Sequence, residues 1–230
     1  TALTAVAFLG IFLKVPLHKK ALAAEPISYF RDMKEGILYI RDNQFLREFF
    51  ILLAILYFLI SPASFLTPLQ VARSFGPDVW RLTAIEIAFS IGMMLGGILI
   101  SYWTSLKNKM HAIALGCFIF AICTIGLGVI PIFWAYLLVM TVTGASMPIF
   151  STPATVLLQQ RVNEDFIGRV FGVMTMISGT MIPLAMLLFG PLADIIPIEW
   201  ILVATGVLMA AECFVLLGSK ALMEAGKPLE

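Results

Sequence analysis

Charge is scarce in this chain. Only 13% of its 230 residues are Asp, Glu, Lys or Arg, against roughly 25% in a water-soluble globular domain. The formal net charge is +1, so no basic field exists to draw in nucleic acid. Histidine is nearly absent: His18 and His111 both lie beside loops, and neither has a metal-ligand partner at useful spacing. The three cysteines, Cys117, Cys123 and Cys213, stand inside apolar runs. They read as small buried side chains and form neither a zinc pattern nor a disulfide framework. No phosphate-binding loop and no Ser/His/Asp set is present, so no enzyme chemistry, metal or cofactor is expected. A signal peptide is missing too, because Thr1 enters an apolar run without a basic n-region or an initiating Met.

Apolar residues are abundant, at 60% of the chain, and they are gathered into long runs. The stretch 89–111, FSIGMMLGGILISYWTSLKNKMH, shows the pattern. An apolar run passes Gly92, Gly96 and Gly97, reaches Tyr102 and Trp103, and gives way to Lys107 and Lys109 before the next run starts. Two helices crossing a bilayer, with an aromatic pair at one interface and lysines on one side, account for this order. Six full-length runs of this kind cover about 45–69, 79–103, 110–130, 132–158, 168–193 and 195–218. Only Pro131 parts the third from the fourth, which predicts a tight hairpin. Pro62 and Pro68 fall inside the first, where a span tolerates them if its neighbours satisfy the freed carbonyls.

The expected fold class is therefore all-α: a six-helix transmembrane bundle over 45–218, with a tail at 219–230. Residues 1–13 are apolar but short of the roughly 20 that a spanning helix needs. They read as the end of a span whose start lies upstream. Residues 14–44 read as a linker. Within it Phe30, Met33, Ile37 and Ile40 recur at helical spacing while Arg31, Asp32, Lys34, Glu35, Arg41 and Asp42 take other faces. This predicts a short amphipathic helix, either lying along the interface or packed on the next span. Arg31 and Glu35, four apart, can pair.

Alternating sides from Lys107 places Lys14, Lys19, Lys20, Arg31, Lys34, Arg41, Arg47, Lys107, Lys109, Arg161, Arg169, Lys220 and Lys227 together. Only Arg73 and Arg81 fall opposite. Such asymmetry marks the cytoplasmic side and predicts a multi-pass protein of the inner (plasma) membrane with its C-terminus in the cytoplasm. Trp80, Trp103, Trp134 and Trp200 each fall at a span end, where an indole keeps its N–H wet.

A partial span, a linker helix and six spans together resemble the C-terminal half of a twelve-span major facilitator transporter. The run 160–170, QRVNEDFIGRV, resembles the loop before the eleventh span in the macrolide-efflux and enterobactin-exporter branch. The linker stretch 29–36, YFRDMKEG, is similar to that branch as well. In 97–110 the superfamily's acidic-then-basic loop motif is degenerate: Ser101 and Tyr102 stand where an acid is usual, so no Asp–Arg gate lock carries over. The resemblance implies drug efflux by alternating access, as a proton antiporter. Its implied partners are membrane lipids, an N-terminal half, a small-molecule substrate and protons. Same-fold siderophore or lipid transport, or a non-transporting membrane subunit, remain open on the residues alone.

Ionisable groups inside spans are costly, on the order of 2.5–3.5 kcal/mol on insertion scales, unless they face protein or water. Glu86 and Glu212 qualify as proton or substrate residues. Glu86, about two turns inside the external end of its span, is expected to titrate in the external half of a cavity; the bland alternative makes it a structural partner for Arg81 or another helix. Glu212 is the weaker candidate, with an interfacial or snorkelling role as its alternative. Gln159, with Gln160, Thr141, Thr143, Ser151 and Thr152, could touch a substrate. Arg161, Asn163, Glu164, Asp165, Gly168 and Arg169 form a compact loop, read either as a solvated turn or as a cytoplasmic gate, with Gly168 allowing close approach. Gly92, Gly96 and Gly97 read as helix-packing positions, as do Gly126, Gly128, Gly144, Ser146, Ser178 and Gly179. Met174, Met176, Met181 and Met186 offer an adaptable surface in one span.

Overall fold

The computed structural model describes residues 29–102 and 108–228, with side chains from residue 31 onward. The expected span end at 1–13, most of the basic flank, Trp103 and Lys107 lie outside the described residues. Among those described there are eight helices and no strand. They are α1 (Tyr29–Asp42), α2 (Gln44–Ser74), α3 (Val79–Tyr102), α4 (Lys109–Val129), α5 (Phe133–Arg161), α6 (Ile167–Ile195), α7 (Ile198–Gly218) and α8 (Lys220–Ala225). Six of them, α2 to α7, are long and apolar enough to cross a membrane. Each matches a run read from the sequence.

The boundaries follow local chemistry. Asn43 caps α2 by accepting from the Leu46 amide at 3.2 Å, and Asn108 caps α4 by accepting from the Met110 amide at 2.9 Å. Helix α2 continues through Pro62 and Pro68 to Ser74, five residues beyond the expected end. Hydropathy falls off there, yet Gln70 stays buried because the protein supplies its partners. Its amide donates to the Leu127 carbonyl at 2.9 Å, and its oxygen accepts from the Tyr136 hydroxyl at 3.0 Å.

Helix α4 sits at the centre, flanked by α5 and α7. Helix α3 packs chiefly on α5, and α6 chiefly on α2. The α3–α5 crossing is the closest in the bundle. A Cβ at Gly92 would lie 2.0 Å from the Thr141 carbonyl oxygen, one at Gly96 2.1 Å from that of Ala145, and one at Gly144 2.1 Å from that of Phe89. Three positions without a side chain let two backbones touch. Gly97 faces open space and plays no part in this crossing, contrary to the expectation for it; Gly179 likewise meets nothing. Both project from helix faces that nothing among the described residues covers at these positions.

The helix ends alternate. One end gathers α1, the 162–166 loop, the start of α4 and α8. The other gathers the 75–78 turn, the 130–132 turn and the α6–α7 junction. At that far end Arg73 donates to the Ala193 carbonyl at 2.9 Å and pairs with Asp194 at 3.3 Å, and Ser74 donates to Glu199 at 3.1 Å. Gly76 turns the chain at φ +112°, a conformation costly for side-chain-bearing residues. Trp80, Trp134 and Trp200 are exposed at the starts of α3, α5 and α7, all at this end.

The segment 219–230 is expected to be a tail, but α8 straps the basic end. Leu222 is fully buried. Ser219 caps the helix by accepting from the Leu222 amide and donates its hydroxyl to Glu48 of α2. Asn108 donates to the Met223 carbonyl at 3.0 Å.

Candidate functional site

Glu86 lies on α3, two turns from its start, and is exposed. It borders a cavity of about 210 Å³ between α2, α3, α4 and α5. Ala63, Ser64 and Thr67 line it from α2, Phe89 from α3, Phe120 and Leu127 from α4, and Met140, Thr143 and Met147 from α5. These positions converge because α2 and α5 each place lining residues about one turn apart: Ala63 and Thr67 on one, Met140, Thr143 and Met147 on the other. Arg81 is not the partner of Glu86. Its guanidinium pairs with Asp78 at 3.5 Å and lies over the Trp80 and Phe133 rings at 5.4 and 5.8 Å. Among the described residues Glu86 makes no ion pair.

Glu212 departs from expectation. Rather than snorkelling, it is buried on α7, with 9% of its surface exposed. Neither carboxyl oxygen has a hydrogen-bond partner among the described residues. It adjoins a second cavity of about 20 Å³ lined by Phe49, Leu53, Ile113, Cys117, Phe150 and Cys213. Cys117 and Cys213 both line it. The reason lies in packing: α7 sits between α2 and α4, so its face at 212–213 meets protein.

The charged loop divides in two. Arg161 donates to the Ala225 and Lys227 carbonyls, both at 2.9 Å, and so ties down the end of α8. Arg169 reaches the linker helix instead: Asp32 at 3.1 Å and Glu35 at 3.2 Å. Glu35 also lies 3.8 Å from Arg31, as its spacing predicts. The Phe166 ring stacks on Tyr39 at 4.4 Å and takes the Arg169 guanidinium at 5.3 Å, while the Asn163 amide donates to the Tyr39 hydroxyl. A Cβ at Gly36 would sit 3.1 Å from the Arg169 carbonyl oxygen. Helix α1 therefore docks on α6 through Asp32, Gly36, Tyr39 and Ile40, leaving Met33 and Ile37 exposed. That is a different face from the one the apolar spacing marked, because an ion pair and a ring stack decide the docking.

Glu164 and Asp165 are exposed and unpaired among the described residues. Gly168 meets nothing within 4 Å, so the close approach expected of it is made by Gly36. Gln159 is exposed near the basic end of α5, remote from the Glu86 cavity. Met176 and Met186 are exposed on α6. The residues that reading the sequence missed are Ser64, Thr67, Tyr39 and Asn108. An i, i+4 pattern of small and hydroxylated residues in α2 was the available signal for the first two. Among the described residues no group of three or more His, Cys, Asp or Glu side chains is placed to hold a metal ion.

Comparison with known proteins agrees with this architecture. Macrolide efflux protein A of Streptococcus pyogenes is 26% identical over 180 residues, covering 77% of this chain and 44% of that protein. Macrolide efflux protein A of Enterococcus faecalis is 25% identical over 179 residues, covering 76% of this chain and 54% of that protein. The chain thus spans about half the length of the curated relatives it matches. Residues 1–186 match the Major Facilitator Superfamily. With six apolar helices packed as described, this chain belongs to that superfamily and is a multi-pass membrane protein.

Proposed function

We propose that the chain forms the C-terminal half of a secondary transporter that exports small hydrophobic or amphipathic compounds by alternating access, coupled to protons. It acts as a carrier rather than an enzyme. The observation that carries this reading is the Glu86 cavity: an acidic side chain without an ion-pair partner among the described residues, two turns inside its span, beside apolar and hydroxylated walls. Convergent polar groups in an otherwise apolar concavity are what a ligand site needs. An intramembrane carboxylate without a structural partner is a functional residue by default.

The basic end is assigned to the cytoplasm and the protein to the inner membrane, on the distribution of lysine and arginine. The partner half would close over the exposed faces of α3 and α6. The loop 161–169 acts at the cytoplasmic side as a latch, in which Arg169 holds the linker helix and releases it as α6 shifts. Glu86 exchanges protons during the cycle.

The test is Glu86→Gln in the full-length protein, with drug-dependent proton movement measured in vesicles. Loss of coupling is expected; unchanged coupling removes Glu86 from the mechanism. A substrate-competition screen separates drug export from siderophore or lipid transport. This chain alone, reconstituted in liposomes, is expected to be inactive, and efflux by it would overturn the half-transporter reading.

A further inference from the structure

Three cavities lie in file along the seam of α2, α4 and α5, with the Glu86 cavity nearest the far end. Helix α5 marks the file at intervals of about one turn. Met140, Thr143 and Met147 line the Glu86 cavity, Met147 and Phe150 line a middle cavity of about 10 Å³, and Phe150 lines the cavity of about 20 Å³ beside Glu212. Helix α4 repeats the order: Phe120 is shared by the first two cavities and Cys117 by the last two. Neighbouring cavities share side chains, so each partition is one layer thick. The file begins at one carboxyl and ends at another. Glu212 is buried, lines the last cavity, and has no partner for either oxygen among the described residues. A space of about 10–15 Å³ holds one water if polar groups are there to bind it. The middle cavity offers the Cys117 thiol and the buried Ser146 hydroxyl, which donates to the Thr143 carbonyl at 2.6 Å and keeps its oxygen as an acceptor. The last cavity offers both Glu212 oxygens and the Cys117 and Cys213 thiols. From α2 and α5 only apolar side chains reach it, and among the described residues no cation lines it. Two turns further along the same face of α7, Ser219 donates to Glu48 at the basic end.

A buried carboxyl that pairs with nothing has no structural reason to be there, and ionisable groups at membrane depth are retained for function. We infer that Glu212 is a second proton station: a proton taken up at Glu86 passes through single waters in the two inner cavities to Glu212 and leaves past Glu48 at the basic end. Each hop breaks one O–H bond and forms another. The Glu86 carboxylic acid gives its proton to the adjoining water, each water passes one of its own onward, and the Glu212 carboxylate takes up the last, so charge and atoms balance without a further reactant. Met147, unbranched and flexible, is the shutter between the first two cavities. This assignment rests on the proton-coupled reading above and adds the route and its second carboxyl.

Infrared difference spectra of the full-length protein in nanodiscs, taken between acidic and neutral pH, read the carboxyls directly. The C=O band lost in Glu212→Gln identifies Glu212; it is expected to titrate and to shift promptly after a jump into heavy water. Cys117→Leu fills the partition between the inner cavities and should slow that shift about tenfold or more, while Cys123→Ala, at a thiol that lines none of the three, should not. In proteoliposomes with erythromycin as the probe and a pH-sensitive dye inside, Glu212→Gln and Cys117→Leu should each cut drug-driven proton movement about tenfold or more. Exchange of labelled erythromycin at equal concentrations should persist in both. Thermal melting checks that each variant is folded. A Glu212 band that neither titrates nor exchanges, or an exchange rate indifferent to Cys117→Leu, overturns the relay, and this result decides alone if erythromycin is not carried. Proton movement lost in Glu86→Gln but kept in Glu212→Gln sinks the relay and leaves proton-coupled export standing. Erythromycin export without proton movement in the parent protein sinks both.

Discussion

Replacing Glu212 by Met should make the protein more stable, which is an unusual expectation for a buried position. Glu212 has 9% of its surface exposed, and neither carboxyl oxygen has a partner among the described residues. The adjoining cavity of about 20 Å³ has room for one water at most. Burying a polar group without hydrogen bonds costs about 1–3 kcal/mol by protein mutational data, and one water recovers part of that. Met is unbranched, similar in length and able to fill an irregular apolar site, so Glu212→Met removes the cost without leaving a hole. The net gain is about 1–2 kcal/mol, or roughly 2–4 °C in melting temperature per kcal/mol for a chain of this size. Glu212→Ala, by contrast, leaves a void and should melt lower. The assay is built in: all three cysteines are buried, so a thiol-reactive fluorogenic dye in mild detergent reports unfolding as they emerge. A Glu212→Met variant melting several degrees below the parent would refute the reasoning, since it would mean that the carboxyl has partners worth keeping. A variant that melts higher but transports less would show why an expensive group is retained, because active sites trade stability for function.

Other outcomes follow from the same contacts. Gly92→Val or Gly144→Val should destabilise by about 1–3 kcal/mol or more through overpacking, whereas Gly97→Ala should be near neutral, all read by the same melting assay. Arg169→Ala should lower transport without lowering membrane abundance. Its ion pairs are part-exposed and worth about 1 kcal/mol or less, so they position α1 more than they stabilise the bundle. Normal efflux rates would count against that role. Arg161→Ala should free α8 and speed tryptic cleavage at Lys220, visible as an early band on limited proteolysis. Tyr136→Phe should cost about 1 kcal/mol by leaving the buried Gln70 oxygen short of a donor.

The span count and the gathering of basic residues at one set of helix ends were readable from residue order, because lipid imposes length and charge rules on every helix alike; Gly92 and Gly96 stood out as packing positions, but not the helix they meet. The readings that failed depended on which neighbour a residue meets. Glu212 looked peripheral because hydropathy reports a residue's own run and not the two helices closing over it. Gly168 and Gly97 looked like packing glycines because a missing side chain carries no direction. The Glu86 cavity was half legible: the acid stood out in its apolar run. That Thr67 and Thr143 face it, with their protons turned away, depends on the register between α2 and α5, which no local pattern encodes. The docking face of α1 escaped for a related reason, since amphipathic spacing weighs Met33 and Ile37 above the acid and the tyrosine that make the contact.

The fastening of α1 has a mechanical corollary. Tension arriving along the polypeptide from before Tyr29 has two exits, the backbone turn at Asn43 into α2 and the side-chain bolt at Asp32, Tyr39 and Arg169 into α6. Helices α2 and α6 are also each other's neighbours. A pull on the linker is therefore delivered to both members of one adjoining pair at once, and α3, riding on α5 across the bundle, receives it last.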